Sequence, residues 1–171
     1  GFEIGNHTVG HGGGLNNYLA MEDQLLAHDV PKPTTLAWPV CAVMWDSCPG
    51  LATNGYIFGR GGHFRPYRPT VDNPFDVPCL GAGTVEQFVG NVRQATGGKI
   101  VVIIYHGVPD MEHPAVSLDP AVFEVQMRYL KDNHYTVKAL RDLAEYIDPV
   151  RAARLPRTSN EYKESGPVVL A

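Results

Sequence analysis

Cysteine is scarce in this 171-residue sequence: Cys41, Cys48 and Cys79 are spaced for neither a disulfide framework nor a zinc knuckle. One disulfide plus a free thiol, or three buried thiols, both satisfy that count, which leaves the redox compartment open. Basic charge is not in surplus either. Lys and Arg number 14 against 18 Asp and Glu, a formal net charge of −4, and the cations are scattered. That balance argues against nucleic acid or an anionic membrane surface as partner. Long apolar runs are missing too: the longest, residues 100–105, falls far short of the roughly 20 residues a membrane-spanning helix needs. The chain also opens without Met, a basic region or an apolar leader and enters a motif at once, so a fragment or a processed chain is expected.

What remains is an ordinary globular composition, 44% hydrophobic and 19% charged, at a length that suits one domain with a real core. Residues 15–30 carry Leu15, Leu19, Leu25 and Leu26 among polar residues, which predicts an amphipathic helix stopped by Pro31 and Pro33. Residues 34–38 and 55–60 read as strands, and residues 42–54 as a loop with a short helix. The stretch 63–83, with Pro66, Pro69, Pro74 and Pro78, reads as a long ordered loop. Such a loop in a compact domain is more often functional than idle.

Thr84 with Gln87 three positions on predicts a capping box opening a helix that ends near Gly97 and Gly98. Residues 100–105 are wholly apolar, as in a parallel strand buried on both faces. Asp119 before Pro120 predicts a helix running to about Asn133. Residues 135–140 read as a strand, 141–147 as a last helix, and the end of the chain as an extended tail. Alternating helices and strands point to an α/β fold with parallel strands.

Of the seven histidines, three sit where chemistry would want them. His7 and His11 are four positions apart, a spacing that on a helical turn places both imidazoles on one side. Two imidazoles and a carboxylate make a metal site with open positions for water and substrate. By spacing alone, two solvated loop histidines fit the pair equally well. His106 ends the apolar strand, where ligands gather in parallel α/β folds, and its chemistry suits a general acid. A strand-end histidine bonded to backbone is the competing reading.

Arg60 stands at a strand end before two glycines, either as a solvated cation or as an arginine orienting an active-site carboxylate. Asp110 and Glu112 are within reach of His106 in sequence but read more simply as loop charges. His63 and His113 are loop residues, solvated or facing substrate. His28 and His134 read as surface residues. Trp38, Trp45, Tyr67 and Phe64 have the faces to line a sugar cleft, although core packing is the commoner fate.

The run Gly-Phe-Glu-Ile-Gly-Asn-His7-Thr-Val-Gly-His11 resembles the second motif of the polysaccharide deacetylase family, the NodB-homology domain, roughly G-H-E-I-G-N-H-[ST]-x-x-H. Ile104-Tyr105-His106 resembles that family's late L-x-H motif. Leu36-Ala37-Trp38-Pro39 resembles the proline-containing third motif of one branch. The run from His106 through Pro109, Asp110, His113 and Pro114 to Arg141-Asp142-Leu143 resembles the same branch. The likeness spans roughly residues 1–148 as a catalytic domain, with 149–171 as the tail.

The resemblance implies a deformed (β/α) barrel, N-terminally incomplete here, and a metal-dependent hydrolase that removes N-acetyl groups from a glycan. It makes His7 and His11 ligands of a divalent metal, zinc first, with cobalt or nickel as substitutes, and His106 the acid that protonates the leaving amine. An extracytoplasmic or secreted location goes with that reading. Two departures stand out. The family's first motif, a strand ending in paired aspartates that supplies the third ligand and the general base, would precede Gly1. The arginine usual before the third motif's prolines is replaced by Ala37-Trp38, which leaves Arg60 to take over its role. The 171-residue chain is therefore expected to be inactive alone. The other readings are a hydrolase of small non-sugar amides and a catalytically inactive carbohydrate-binding domain.

Overall fold

The computed structural model describes residues 2–155, so Gly1 and positions 156–171 of the expected tail lie outside the described residues. In chain order the elements are α1 (Leu15–Ala27), β1 (Thr35–Ala37), α2 (Cys48–Thr53), β2 (Phe58–Arg60), β3 (Leu80–Gly81), α3 (Val85–Val92), β4 (Ile103–Ile104), α4 (Pro120–Asp132) and α5 (Pro149–Ala152). Single turns of 3-10 helix lie between several of them. The chain forms two compact units. Among the described residues, 2–63, 69–77 and 139–155 make the first, and 64–68 and 78–138 the second.

In the first unit β1 and β2 pair in parallel, with Leu36 opposite Gly59 and Ala37 opposite Arg60. Single parallel bridges extend this pair on both sides, Asn6 to Leu36 and Arg60 to Val77. The core beneath holds Tyr18, Leu36, Trp38, Leu51, Tyr56 and Phe75, with Leu15 packed against it. Trp38 donates its indole N–H to the Phe75 carbonyl at 2.7 Å. Gly59 makes that crossing possible, because a Cβ there would stand 2.7 Å from Trp38 Nε1 and 2.9 Å from Phe75 O.

Helix α1 stops at Ala27 rather than Val30. Asp29 takes a left-handed φ of 58°, and the Val30 N–H bonds back to the Leu25 carbonyl at 3.0 Å, closing the end. Its buried face is Tyr18 and Glu22 instead of the leucine stripe, and Leu26 is exposed. Glu22 tolerates burial because Lys32 Nζ lies 2.8 Å from Oε1 and the Tyr56 hydroxyl donates to Oε2.

In the second unit β3 and β4 pair in parallel, Leu80 opposite Ile103, and Tyr67 and Ile100 form an antiparallel bridge. The strand expected over residues 100–105 is thus shorter than its apolar run, and those residues are half-buried rather than enclosed. Among the described residues β4 has one ladder partner, so its apolar length is not matched by hydrogen-bonding neighbours. The Thr84–Gln87 capping box is present, and α3 closes at Val92, ahead of the two glycines. Helix α4 begins with Asp119 accepting from the Ala121 N–H at 2.7 Å. Gln126, fully buried on α4, accepts from the Tyr105 hydroxyl at 2.9 Å and donates to the Gly83 carbonyl at 3.0 Å. Burial pushes the Tyr105 phenol up to about 12.

Two further expectations are corrected. Residues 135–139 form no strand, and Val137 is exposed; a β-prone segment without a neighbour to pair with stays irregular. Residues 141–147 hold a 3-10 helix (Leu140–Glu145) in place of an α-helix. At the start of the expected tail, Asp148 instead caps α5 by accepting from the Val150 and Arg151 N–H groups. None of the three cysteines is in a disulfide; Cys48 and Cys79 are buried and Cys41 is partly exposed. No described helix is long and apolar enough to cross a membrane.

Candidate metal-binding histidines

The N-terminal motif is held by Asn6. This residue is fully buried, and its amide donates to the Tyr18 carbonyl at 2.8 Å and the Tyr56 hydroxyl at 2.7 Å. Its side-chain oxygen accepts from the Thr8 N–H at 2.9 Å. Its backbone bridges to β1, with Asn6 N on Thr35 O and Ala37 N on Asn6 O. Burial pushes the Tyr56 phenol up to about 12, so the phenol stays neutral, accepting from Asn6 and donating to Glu22. Glu3 ties the same motif to the end of the domain: its carboxylate accepts from Thr35 Oγ1 at 2.6 Å and from the Arg141 N–H at 3.1 Å.

His7 follows this anchor directly. Its Nδ1 lies 2.8 Å from the Ala37 carbonyl, which can only accept; Nδ1 therefore carries the proton, and Nε2 presents its lone pair. The His11 ring stands edge-on to the His7 ring at 4.8 Å between centroids. The convergence does not come from a helical turn, as the spacing suggested. It comes from left-handed backbone at Thr8 (φ 67°), Gly10 (φ 66°) and His11 (φ 59°). Thr8, β-branched and buried, adopts that conformation at a cost in strain.

Two exposed imidazoles, His7 with its tautomer fixed by the Ala37 carbonyl, fit the donor set of a zinc-class ion. Thr8 Oγ1, buried and without a hydrogen-bond partner among the described residues, leaves polar capacity beside them. No carboxylate, thiolate or further imidazole among the described residues joins both rings in a three-ligand set. The fit therefore extends to two ligands.

Beside His7 opens a cavity of about 250 Å³ whose walls include Glu3, Asn6, Thr35 and Arg60. Arg60, at the end of β2, donates to Cys41 Sγ at 2.8 Å and makes no ion pair among the described residues. Among the described residues no carboxylate forms an ion pair with Arg60, although Glu3 lines the same cavity. His63, left open between solvent and substrate, has Nε2 2.8 Å from Oδ2 of the fully buried Asp76. Trp38 and Tyr67 are core residues and line no cleft, whereas Phe64 is exposed and Trp45 partly buried.

His7, His11 and Arg60 belong to the first unit and His106 to the second. His106 stands two residues beyond β4, and its Nδ1 lies 2.5 Å from Asp110 Oδ2. Asp110 Oδ1 meets His113 Nδ1 at 3.2 Å and also accepts the backbone N–H groups of Glu112 and His113. The hydrogen bond from His106 holds the Asp110 carboxyl at about 2, below the usual carboxylate range. The loop is closed behind by Gly107, where a Cβ would come 2.5 Å from Asp110 Cβ, and by Ser117, whose hydroxyl accepts from the Asp110 N–H at 2.8 Å.

Asp110 is more than a loop charge: its carboxylate joins His106 and His113 in one cluster. The spacing His106, Asp110, His113 was visible in the sequence, but the Gly107–Ser117 closure that turns it into a cluster was not. Asn6 and Glu3 were also missed as anchors; the one available signal was their place inside the motif. Compared with protein-family models, curated proteins and solved structures, the chain matches none.

Proposed function

We propose that this chain belongs to a metal-dependent hydrolase of the polysaccharide deacetylase type, built on a deformed (β/α) barrel, that removes N-acetyl groups from a glycan. One observation carries the reading. His7, its Nδ1–H held by the Ala37 carbonyl, offers Nε2 beside the His11 ring at the rim of a cavity that Arg60 also lines.

In this reading His7 and His11 hold the divalent ion, zinc first, with cobalt or nickel as substitutes. When bound, the ion supplies Lewis acidity toward the acetyl carbonyl and toward water. Asn6 and Ala37 keep the His7 ring in place, because every polar group of Asn6 is engaged in the buried network beneath it. His106 is the general acid. With Nδ1 on the Asp110 carboxylate, Nε2 is the atom that hands a proton to the leaving amine. Arg60 supplies positive charge at the cavity, where it is the residue to orient an active-site carboxylate. Extracytoplasmic placement goes with a glycan substrate.

The test is acetate release from N-acetylated chitooligosaccharides by the full-length protein in zinc. Acetate is expected, with release falling at least about 100-fold in His7→Ala and His106→Ala, a loss within the range of general-acid contributions. No release from a folded, zinc-loaded protein would refute the glycan reading. A carbohydrate-binding domain without activity would then show saturable glycan binding. A hydrolase of small amides would release acid from those substrates instead.

A further inference from the structure

The segment 106–113 carries a second donor set that the proposed reaction does not need as a ligand group. We infer that His106, Asp110 and His113 form a binding site of their own for a divalent transition metal of the zinc class. Each residue offers one ligand atom, and the three atoms lie within 4.8 Å of one another. Ligands of one zinc-class ion sit roughly 2.0–2.2 Å from it, hence up to about 4 Å apart, so small rotations of the exposed rings close the set.

Three properties make the cluster a site. The first is donor chemistry: two imidazoles and one carboxylate select a transition metal over magnesium or calcium, which favour all-oxygen shells. The second is rigidity. Asp110 is fixed from behind by Ser117 Oγ and by two backbone N–H groups on its own carboxylate. Gly107 packs against the same residue, so closely that a Cβ there would stand 2.5 Å from Asp110 Cβ. The loop is already closed before an ion arrives, so little ordering cost falls on binding. The third is access. The His106 and His113 side chains are 51% and 61% exposed while Asp110 is 13% exposed, a half-buried anchor under two reachable rings. Water can then fill the remaining coordination positions.

One consequence rests on the proposed hydrolase reading. An ion here takes the His106 ring out of proton transfer, so zinc in excess of the His7–His11 requirement inhibits.

The test reads binding directly, so that it stands apart from any activity. The 171-residue chain, checked for its fold by circular dichroism, is titrated with cobalt(II) by absorbance and with zinc by calorimetry. Three variants are compared with it: the double variant His7→Ala/His11→Ala, and that double variant carrying in addition His113→Ala or Asp110→Asn. Uptake of one ion is expected to hold in the double variant and its affinity to fall at least about tenfold when His113→Ala or Asp110→Asn is added, in line with the 10–100-fold effects of removing groups around metal sites. His113→Ala decides if Asp110→Asn disturbs the loop, since its side chain is exposed. No metal uptake by the folded double variant, or an affinity unchanged by adding His113→Ala to it, would each overturn the assignment. Absence of deacetylase activity would leave this result unchanged.

Discussion

The Asn6 side-chain amide reaches the Tyr56 hydroxyl across fifty residues of sequence at 2.7 Å, and one residue further on stands His7. The same amide holds the Tyr18 carbonyl, and its oxygen holds the Thr8 N–H. The histidine pair is therefore carried by a buried polar network, not by the flexibility of a glycine-rich terminus.

Replacing Asn6 by Ala leaves a buried carbonyl, hydroxyl and N–H short of a partner each. A loss of about 2–4 kcal/mol is expected, given roughly 1–3 kcal/mol for each buried group left unsatisfied and partial relaxation of the rest. Urea denaturation checks it through a lower midpoint. An unfolding free energy within about 0.5 kcal/mol of wild type would show the network to be dispensable.

Gly59→Ala puts a methyl into the gap where Trp38 Nε1 meets Phe75 O, at 2.7 and 2.9 Å. Overpacking of this kind costs about 1–3 kcal/mol. Thermal unfolding and the tryptophan emission of the buried Trp38 both report it. An unchanged melting temperature contradicts the close approach.

Asp110 provides a pH test. Its folded value, about 2, lies below the roughly 3.9 of an unfolded aspartate, so the carboxylate form favours the folded loop. The contribution is fully present above the unfolded value and is lost as pH falls through the folded one. Carboxyl 13C shifts should therefore place the midpoint near 2, with the His106 and His113 ring signals losing dispersion only below about pH 3. A midpoint at 3.5 or above contradicts the hydrogen bonds to His106 and His113.

Tyr105→Phe removes the hydroxyl that Gln126 accepts from, and Gln126 is fully buried. The expected loss is about 1–3 kcal/mol. In the wild-type protein ultraviolet titration should find the Tyr105 phenol ionising near 12. Ionisation near 10 would show the residue to be solvated.

What the sequence made legible was local. The Thr84–Gln87 box and the Asp119-Pro120 start are contacts within three residues, and both form as the spacing predicts. The His7–His11 spacing was visible, but not the left-handed Thr8 and His11 that bring the rings together, since a β-branched threonine is a residue type that rarely takes a positive φ. Residues 135–140 have strand-like side chains, yet a strand exists only with a partner, and pairing is not written in one segment. Asn6 depends on Tyr18 and Tyr56, and Glu3 on Arg141, contacts far along the chain that no motif spacing encodes. Trp38 was open between cleft and core, and what settled it was Gly59, which lets the indole reach Phe75.

The central claim is that His7 and His11 hold a divalent metal. Anomalous diffraction at the zinc edge from crystals of the full-length, zinc-loaded protein tests it most directly. The account predicts a peak about 2.0–2.1 Å from a ring nitrogen of both residues, with Nε2 as the His7 ligand. Saturating zinc with no peak between the two rings, and His7 Nε2 bonded only to protein or water, would contradict it.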